Sequence, residues 1–175
     1  MEQTPEPVQQ PVTSNVTKGI TIALIIIFLS VLSYFIGATM QGWPQYLIYA
    51  VYVAGIMWSC VVYGKQLNGD VTFGNVFAHG FKVAAVVTVL MIGFTLALSA
   101  FSPEMKEKAL ETIRTEMAKN PKVTPDMVEK TEAIYTRWFT PILIGSALLG
   151  YLFLGLLGSL AGAAITKKNP PSYQG

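Results

Sequence analysis

The sequence predicts an all-α, polytopic membrane protein: four transmembrane helices with a water-facing helical hairpin between helices 3 and 4. Three observations predict it. Only 13% of the 175 residues are charged, 12 Lys and Arg with 10 Asp and Glu, where an ordinary soluble domain carries about 25%. Hydrophobic residues make up 52% and the mean hydropathy is +0.48, too little polar side chain to cover a soluble core of this size. The charges also leave three long gaps: residues 19–64, 83–103 and 138–166, of 46, 21 and 29 residues, hold no Lys, Arg, Asp or Glu. A helix needs about 20 residues to cross the hydrocarbon. A soluble bundle would need a continuous polar face on each helix, which these runs lack. Nor does any segment show the alternation of a barrel strand.

Taken in order, residues 1–15 carry Pro5, Pro7 and Pro11 among Gln and Glu, with almost nothing to bury, and read as a disordered N-terminal tail. The transmembrane domain is expected over 16–168. Its first gap is long enough for two crossings, 19–40 and 45–64, with Gln41, Gly42, Trp43, Pro44 and Gln45 ending one helix and starting the next. The third and fourth spans are expected at 76–100 and 141–165, and each of the four reaches roughly 30 Å or more at about 1.5 Å per residue. A signal peptide has an apolar region of about 7 to 15 residues behind a basic cluster. The first span is longer and follows Glu2 and Glu6, so it is expected to be retained. Lys167, Lys168, Asn169, Pro170 and Pro171 stop the last helix, leaving 169–175 as a polar C-terminal tail.

The helical loop at 101–140 holds seven basic residues (Lys106, Lys108, Arg114, Lys119, Lys122, Lys130, Arg137) and seven acidic ones. Ser102, Pro103 and Glu104 form a helix start, after which Met105, Ala109, Ile113 and Met117 recur every four residues. Thr124, Pro125 and Asp126 repeat the signal, and Met127, Thr131, Ile134 and Trp138 share one face of a second short helix. Each is only about four turns long and needs packing to persist. The hairpin reads first as a solvated connector that caps the bundle, with a partner-binding or lipid-sensing module as the alternative.

The excess of Lys18, Lys65, Lys82, Lys167 and Lys168 on one side, against an uncharged first loop on the other, favours both termini inside. The seven basic residues of the long loop pull the other way, although only Lys106 and Arg137 lie close to a span end. One Cys and one His allow no intrachain disulfide and no zinc cluster. A net charge of +2 gives no electrostatic case for nucleic acid. No phosphate loop, dinucleotide fingerprint, zincin helix or nucleophile elbow is present, so no enzyme, cofactor or metal centre is expected. The spans lack a charge near their middles, which argues against a proton-coupled pump.

What remains are candidate contacts. Asn75, His79 and Lys82 fall at i, i+4 and i+7 in the third helix beside an aromatic strip of Phe73, Phe77 and Phe81. Lys65, His79 and Lys82 are therefore candidates for an anionic lipid or ligand site, against the plainer reading of an interfacial anchor. Tyr49 and Tyr52 sit deep enough that their hydroxyls should bond to neighbouring helices, and Cys60 reads as a small packing residue. Gly155, Gly158, Ser159 and Gly162 in the last span are the candidate packing surface, with Ser33 and Gly37 or Gly93 and Ala97 as matching surfaces. Packing within the bundle is preferred there to a dimer face.

Residues 63–83 (YGKQLNGDVTFGNVFAHGFKV), then a span, a charged helical loop and residues 158–168 (GSLAGAAITKK), resemble the DUF4199 family, small four-span membrane proteins of Bacteroidota whose function is unknown. The resemblance implies a bacterial cytoplasmic (inner) membrane location and carries over no catalytic or binding residue. Two classes of function are expected: a non-catalytic membrane module interacting with lipid or a membrane-protein partner, or, as the alternative, a small transporter or channel subunit acting as a homo-oligomer.

Overall fold

The computed structural model describes residues 13–35, 43–102 and 104–169, apart from the side chains of residues 34 and 105. The expected tail up to residue 12, the end of the first span with its turn at 36–42, the proline of the Ser102 helix start and the C-terminal tail from 170 lie outside the described residues. Among the described residues the chain is all α, without a strand: α1 (Asn15–Phe35), α2 (Trp43–Gln66), α3 (Phe73–Phe101), α4 (Glu104–Ala118), α5 (Pro125–Arg137) and α6 (Phe139–Ile165). Four of them, α1, α2, α3 and α6, are long and apolar enough to cross a membrane. The architecture is that of a multi-pass membrane protein. The chain divides into two compact units, one of residues up to 90 and from 151, the other Met91–Gly150.

In the first unit the helices alternate in direction. Ile22 of α1 packs at Gly55 of α2, and Thr13 just before α1 bonds to Gln66 at the end of α2, so α1 and α2 are antiparallel. Gly155, Gly158 and Gly162 of α6 meet Tyr52, Ile56 and Cys60 of α2 in the same order, so those two run parallel. The buried positions of α2, Pro44, Ile48, Tyr52, Ile56, Cys60 and Gly64, follow the four-residue ridge of one helix face, with Ser59 buried beside it. Lipid is as apolar as leucine, so burial of apolar surface does not drive these helices together; close van der Waals packing and hydrogen bonds do. The interior accordingly holds small and polar groups beside its valines and isoleucines, while Leu24, Phe28, Leu47, Trp58, Phe153 and Leu157 point outward.

Two glycines, one on α3 and one on α6, close on Cys60. A Cβ on Gly80 of α3 would stand 2.5 Å from Cys60 Sγ and 2.9 Å from Ser159 Oγ, and one on Gly162 would stand 2.8 Å from Cys60 Cβ and 3.1 Å from the Met57 Cα. Tyr52 donates its hydroxyl to the Tyr151 carbonyl at 2.9 Å, the interhelical bond expected of it. Tyr49 instead accepts from Gln45 on its own helix at 2.6 Å. Among the described residues nothing lies within 4 Å of a Cβ placed on Gly93, whereas Gly19 of α1 faces Val86 of α3.

The second unit contains the hairpin. Thr124 caps α5, its hydroxyl accepting from the Met127 N–H at 3.4 Å, with Pro125 in the first turn. α4 and α5 are tied by a bidentate pair, Arg114 Nε and Nη2 donating to the two oxygens of Glu132 at 2.5 and 2.7 Å. Ala109, Ile113, Met117, Val128 and Tyr135 are half-buried, while Met127, Ile134 and Trp138 are exposed.

The hydrogen bonds and charge of Arg114 hold the Glu132 carboxyl below the usual carboxylate range. A depressed carboxyl pKa stabilises the folded hairpin above the unfolded value, near about 4.3, and that contribution is lost as pH falls through the folded value. A ¹³C-carboxyl titration of Glu132 should therefore give a midpoint below the ordinary glutamate value, and Arg114→Gln should restore it. An unchanged midpoint in Arg114→Gln would mean the pair does not form.

Candidate functional site

The first unit concentrates its polar side chains at one end: the start of α1, the end of α2, the first turns of α3 and the end of α6. Lys18 lies in the first turn of α1, where a long side chain can bury its stem and keep its ammonium among polar groups. Its Nζ donates to Gln66 Oε1 at 3.3 Å and stands 3.4 Å from His79 Nε2. Ser59 Oγ is 3.1 Å from the same nitrogen. An ammonium has no lone pair to offer, so with Lys18 charged Nε2 is the acceptor and the ring proton sits on Nδ1. The Tyr63 ring stacks on the imidazole with centroids 4.1 Å apart and planes 14° apart, and Lys18 Nζ lies 5.9 Å from its centre. Lys18, Ser59 and His79 are 3%, 0% and 4% exposed. No carboxylate among the described residues pairs with Lys18.

Beside this cluster the chain turns sharply after α2. Asn68 (φ 52°) and Gly69 (φ 78°) take left-handed conformations, and their N–H groups bond to the carbonyls of Lys65 and Gly64 at 3.0 and 2.9 Å. Asn169 closes against the turn, Nδ2 donating to the Asn68 carbonyl at 2.6 Å and its N–H to that of Gly69 at 2.9 Å. Lys168 caps α6, donating to the carbonyls of Ala163 and Thr166 at 2.6 and 3.2 Å. Between these two helix ends lies a groove of about 370 Å³ bordered by Lys65, Asn68, Thr166, Lys167 and Asn169.

The candidates from the sequence are divided between two places. His79 is sealed in the cluster with Lys18 and Ser59; Lys65 is exposed at the groove; Lys82 is exposed, as is Asn75. The buried side of α3 is the one carrying Val76, Gly80, Val83 and Val87. At about 100° per residue His79 lies at its edge, with Asn75 and Lys82 farther round. Gly155, Gly158, Ser159 and Gly162 are all buried, against Tyr52 and Ala84, Ile56, Gly80, and Cys60 respectively. Lys18, Ser59, Tyr63 and Gln66 were not foreseen as a site. The last three share one face of α2 at i, i+4 and i+7, a polar strip in an apolar helix that was the available signal. Among the described residues no group of three His, Cys, Asp or Glu could hold a metal ion.

A family model described as "Protein of unknown function (DUF4199)" matches residues 17–168. No curated protein and no solved structure matches the chain.

Proposed function

We propose a function from the premise that the chain belongs to the DUF4199 family: it is a non-catalytic multi-pass module of the bacterial cytoplasmic membrane that engages anionic lipid at its lysine-rich end. One observation carries the reading. The described residues of the first unit contain Lys18, Lys65, Lys82, Lys167 and Lys168, all toward the same end, and a single acid, Asp70. The second unit balances its charges seven against seven. Lysines toward one end of the spans support placing that end, with the start of α1 and the end of α6, on the cytoplasmic side. Each lysine near an anionic surface contributes about 1 kcal/mol of attraction. Protein reconstituted in an equimolar mixture of phosphatidylglycerol and phosphatidylcholine should retain several-fold more of the anionic lipid in its bound shell by mass spectrometry. A shell with the composition of the bulk overturns the reading.

A second reading, a small transporter or channel subunit acting as a homo-oligomer, is favoured by the sealed Lys18, Ser59 and His79, because ionisable groups buried in spans commonly line ion paths. It predicts solute flux in liposomes that is lost in Lys18→Met.

A further inference from the structure

We infer that the groove between the end of α2 and the end of α6 is a phosphate site, with Lys65 and Lys167 as its cationic arms, and that its occupant is a phosphate-bearing headgroup; this deepens, and rests on, the lipid reading above. The two lysines border the same groove from different helix ends, and neither ammonium has an ion pair or hydrogen bond among the described residues. Asp70, in the adjoining turn, forms no salt bridge with either. By contrast Lys18 and Lys168 are already engaged, the one with Gln66 and His79, the other with the last carbonyls of α6. The division separates lysines that hold the fold from lysines whose charge is left over.

Both helices end here, and their C-terminal dipoles oppose an anion. That opposition is reduced because the terminal carbonyls are taken up: those of Gly64 and Lys65 by the Asn68 and Gly69 N–H groups, those of Ala163 and Thr166 by Lys168. Two flexible lysines bordering one groove suit a phosphate, which lysine binds as a point charge, better than they suit a planar carboxylate, which favours the arginine fork. Depth agrees. With 24 and 27 residues, α2 and α6 are about 36 and 40 Å long at 1.5 Å per residue, longer than a hydrocarbon layer of about 30 Å. Helices of that length have residues to spare beyond the hydrocarbon, enough to carry an end and the groove beside it to the depth of the lipid phosphates. The turn that shapes the groove requires glycine at 69, where φ is +78° and a Cβ would stand 3.0 Å from Asn169 Oδ1.

The test titrates the detergent-solubilised full chain with phosphatidylglycerol, and separately with inorganic phosphate, reading bound species by native mass spectrometry. Lys65→Gln with Lys167→Gln should weaken phosphatidylglycerol binding about tenfold or more, whereas Lys65→Arg with Lys167→Arg should retain it. Lys106→Gln with Lys122→Gln, the same change in charge on the hairpin, should alter it less than about twofold. Binding of inorganic phosphate that is lost in the same glutamine pair would support the site with a soluble source; its absence beside retained lipid binding would support the lipid source. Equal loss in the groove pair and the hairpin pair, or none in either, overturns the site while leaving a diffuse preference for anionic lipid standing. No preference of the unaltered chain for phosphatidylglycerol over phosphatidylcholine overturns the lipid reading itself.

Discussion

Gly162→Leu should lower the thermal-unfolding midpoint in detergent by on the order of 10 °C, and Gly162→Ala by several degrees. Even the first carbon of either side chain would lie 2.8 Å from Cys60 Cβ and 3.1 Å from the Met57 Cα, and the latter belongs to the α2 backbone, which cannot rotate aside. The helices must separate, and the separation opens gaps along the ridge where Tyr52, Ile56 and Cys60 meet the glycines of α6. Overpacking costs about 1–3 kcal/mol, and for a chain of this length about 1 kcal/mol corresponds to roughly 2–4 °C. In a membrane the loss has no offset, because close packing is itself the attractive force between the helices. Gly80→Ala should behave like Gly162→Ala, its carbon meeting Cys60 Sγ at 2.5 Å and Ser159 Oγ at 2.9 Å. The comparison is with Gly145→Ala and Gly150→Ala, whose Cβ would meet nothing within 4 Å among the described residues and which should be neutral or slightly stabilising through helix propensity. If Gly162→Ala tracked Gly145→Ala, the close approach of α2 and α6 would be refuted.

That contrast also shows how far the sequence could be read. The spans were legible because a charge in hydrocarbon is so costly that its absence over 20 residues is a signal without knowledge of any neighbour. The hairpin was legible because Thr124 and Pro125 act on their own turn, and Thr124 does cap α5. The helices run past the expected span bounds, α1 from Asn15 rather than 19 and α2 over Trp43–Gln66 rather than 45–64, and at two starts the local chemistry shows why. α6 starts at Phe139 rather than 141 because a proline in the first turn leaves no helical bond unmade; α3 starts at Phe73 rather than 76, with Thr72 Oγ1 accepting from the Asn75 N–H at 3.2 Å. The spacing of small residues at 155, 158, 159 and 162 marked one ridge of the last span, which is buried, but the residue that each of them meets on α2 or α3 could not be read from it. The polar site was least legible. Asn75, His79 and Lys82 occupy one strip of α3, and which of them is sealed depends on what faces each level of it: Lys18, Ser59 and Tyr63 reach His79 from α1 and α2. A helical period identifies a face and is silent on its neighbours.

The second large effect comes from that cluster, and its sign separates a charge from ordinary packing. His79→Leu removes one of the two acceptors of Lys18 and leaves its ammonium with Gln66 Oε1, 3% exposed and without a carboxylate among the described residues. Losing a partner of a buried charge costs about 3–5 kcal/mol in a sealed interior; Lys18, one turn from the start of α1, recovers part of that by reaching toward water, so a loss of about 2–3 kcal/mol is expected. Lys18→Met removes the charge instead, leaving His79 Nε2 bonded to Ser59 at 3.1 Å and its ring stacked on Tyr63, and should cost less. Combining Lys18→Met with His79→Leu should then give a chain more stable than His79→Leu alone, because the stranded ammonium is gone. The coupling measured by the double-mutant cycle should be on the order of 1–2 kcal/mol. Additive losses would mean that Lys18 and His79 contribute only as separate packing groups and that the contact between them is energetically idle.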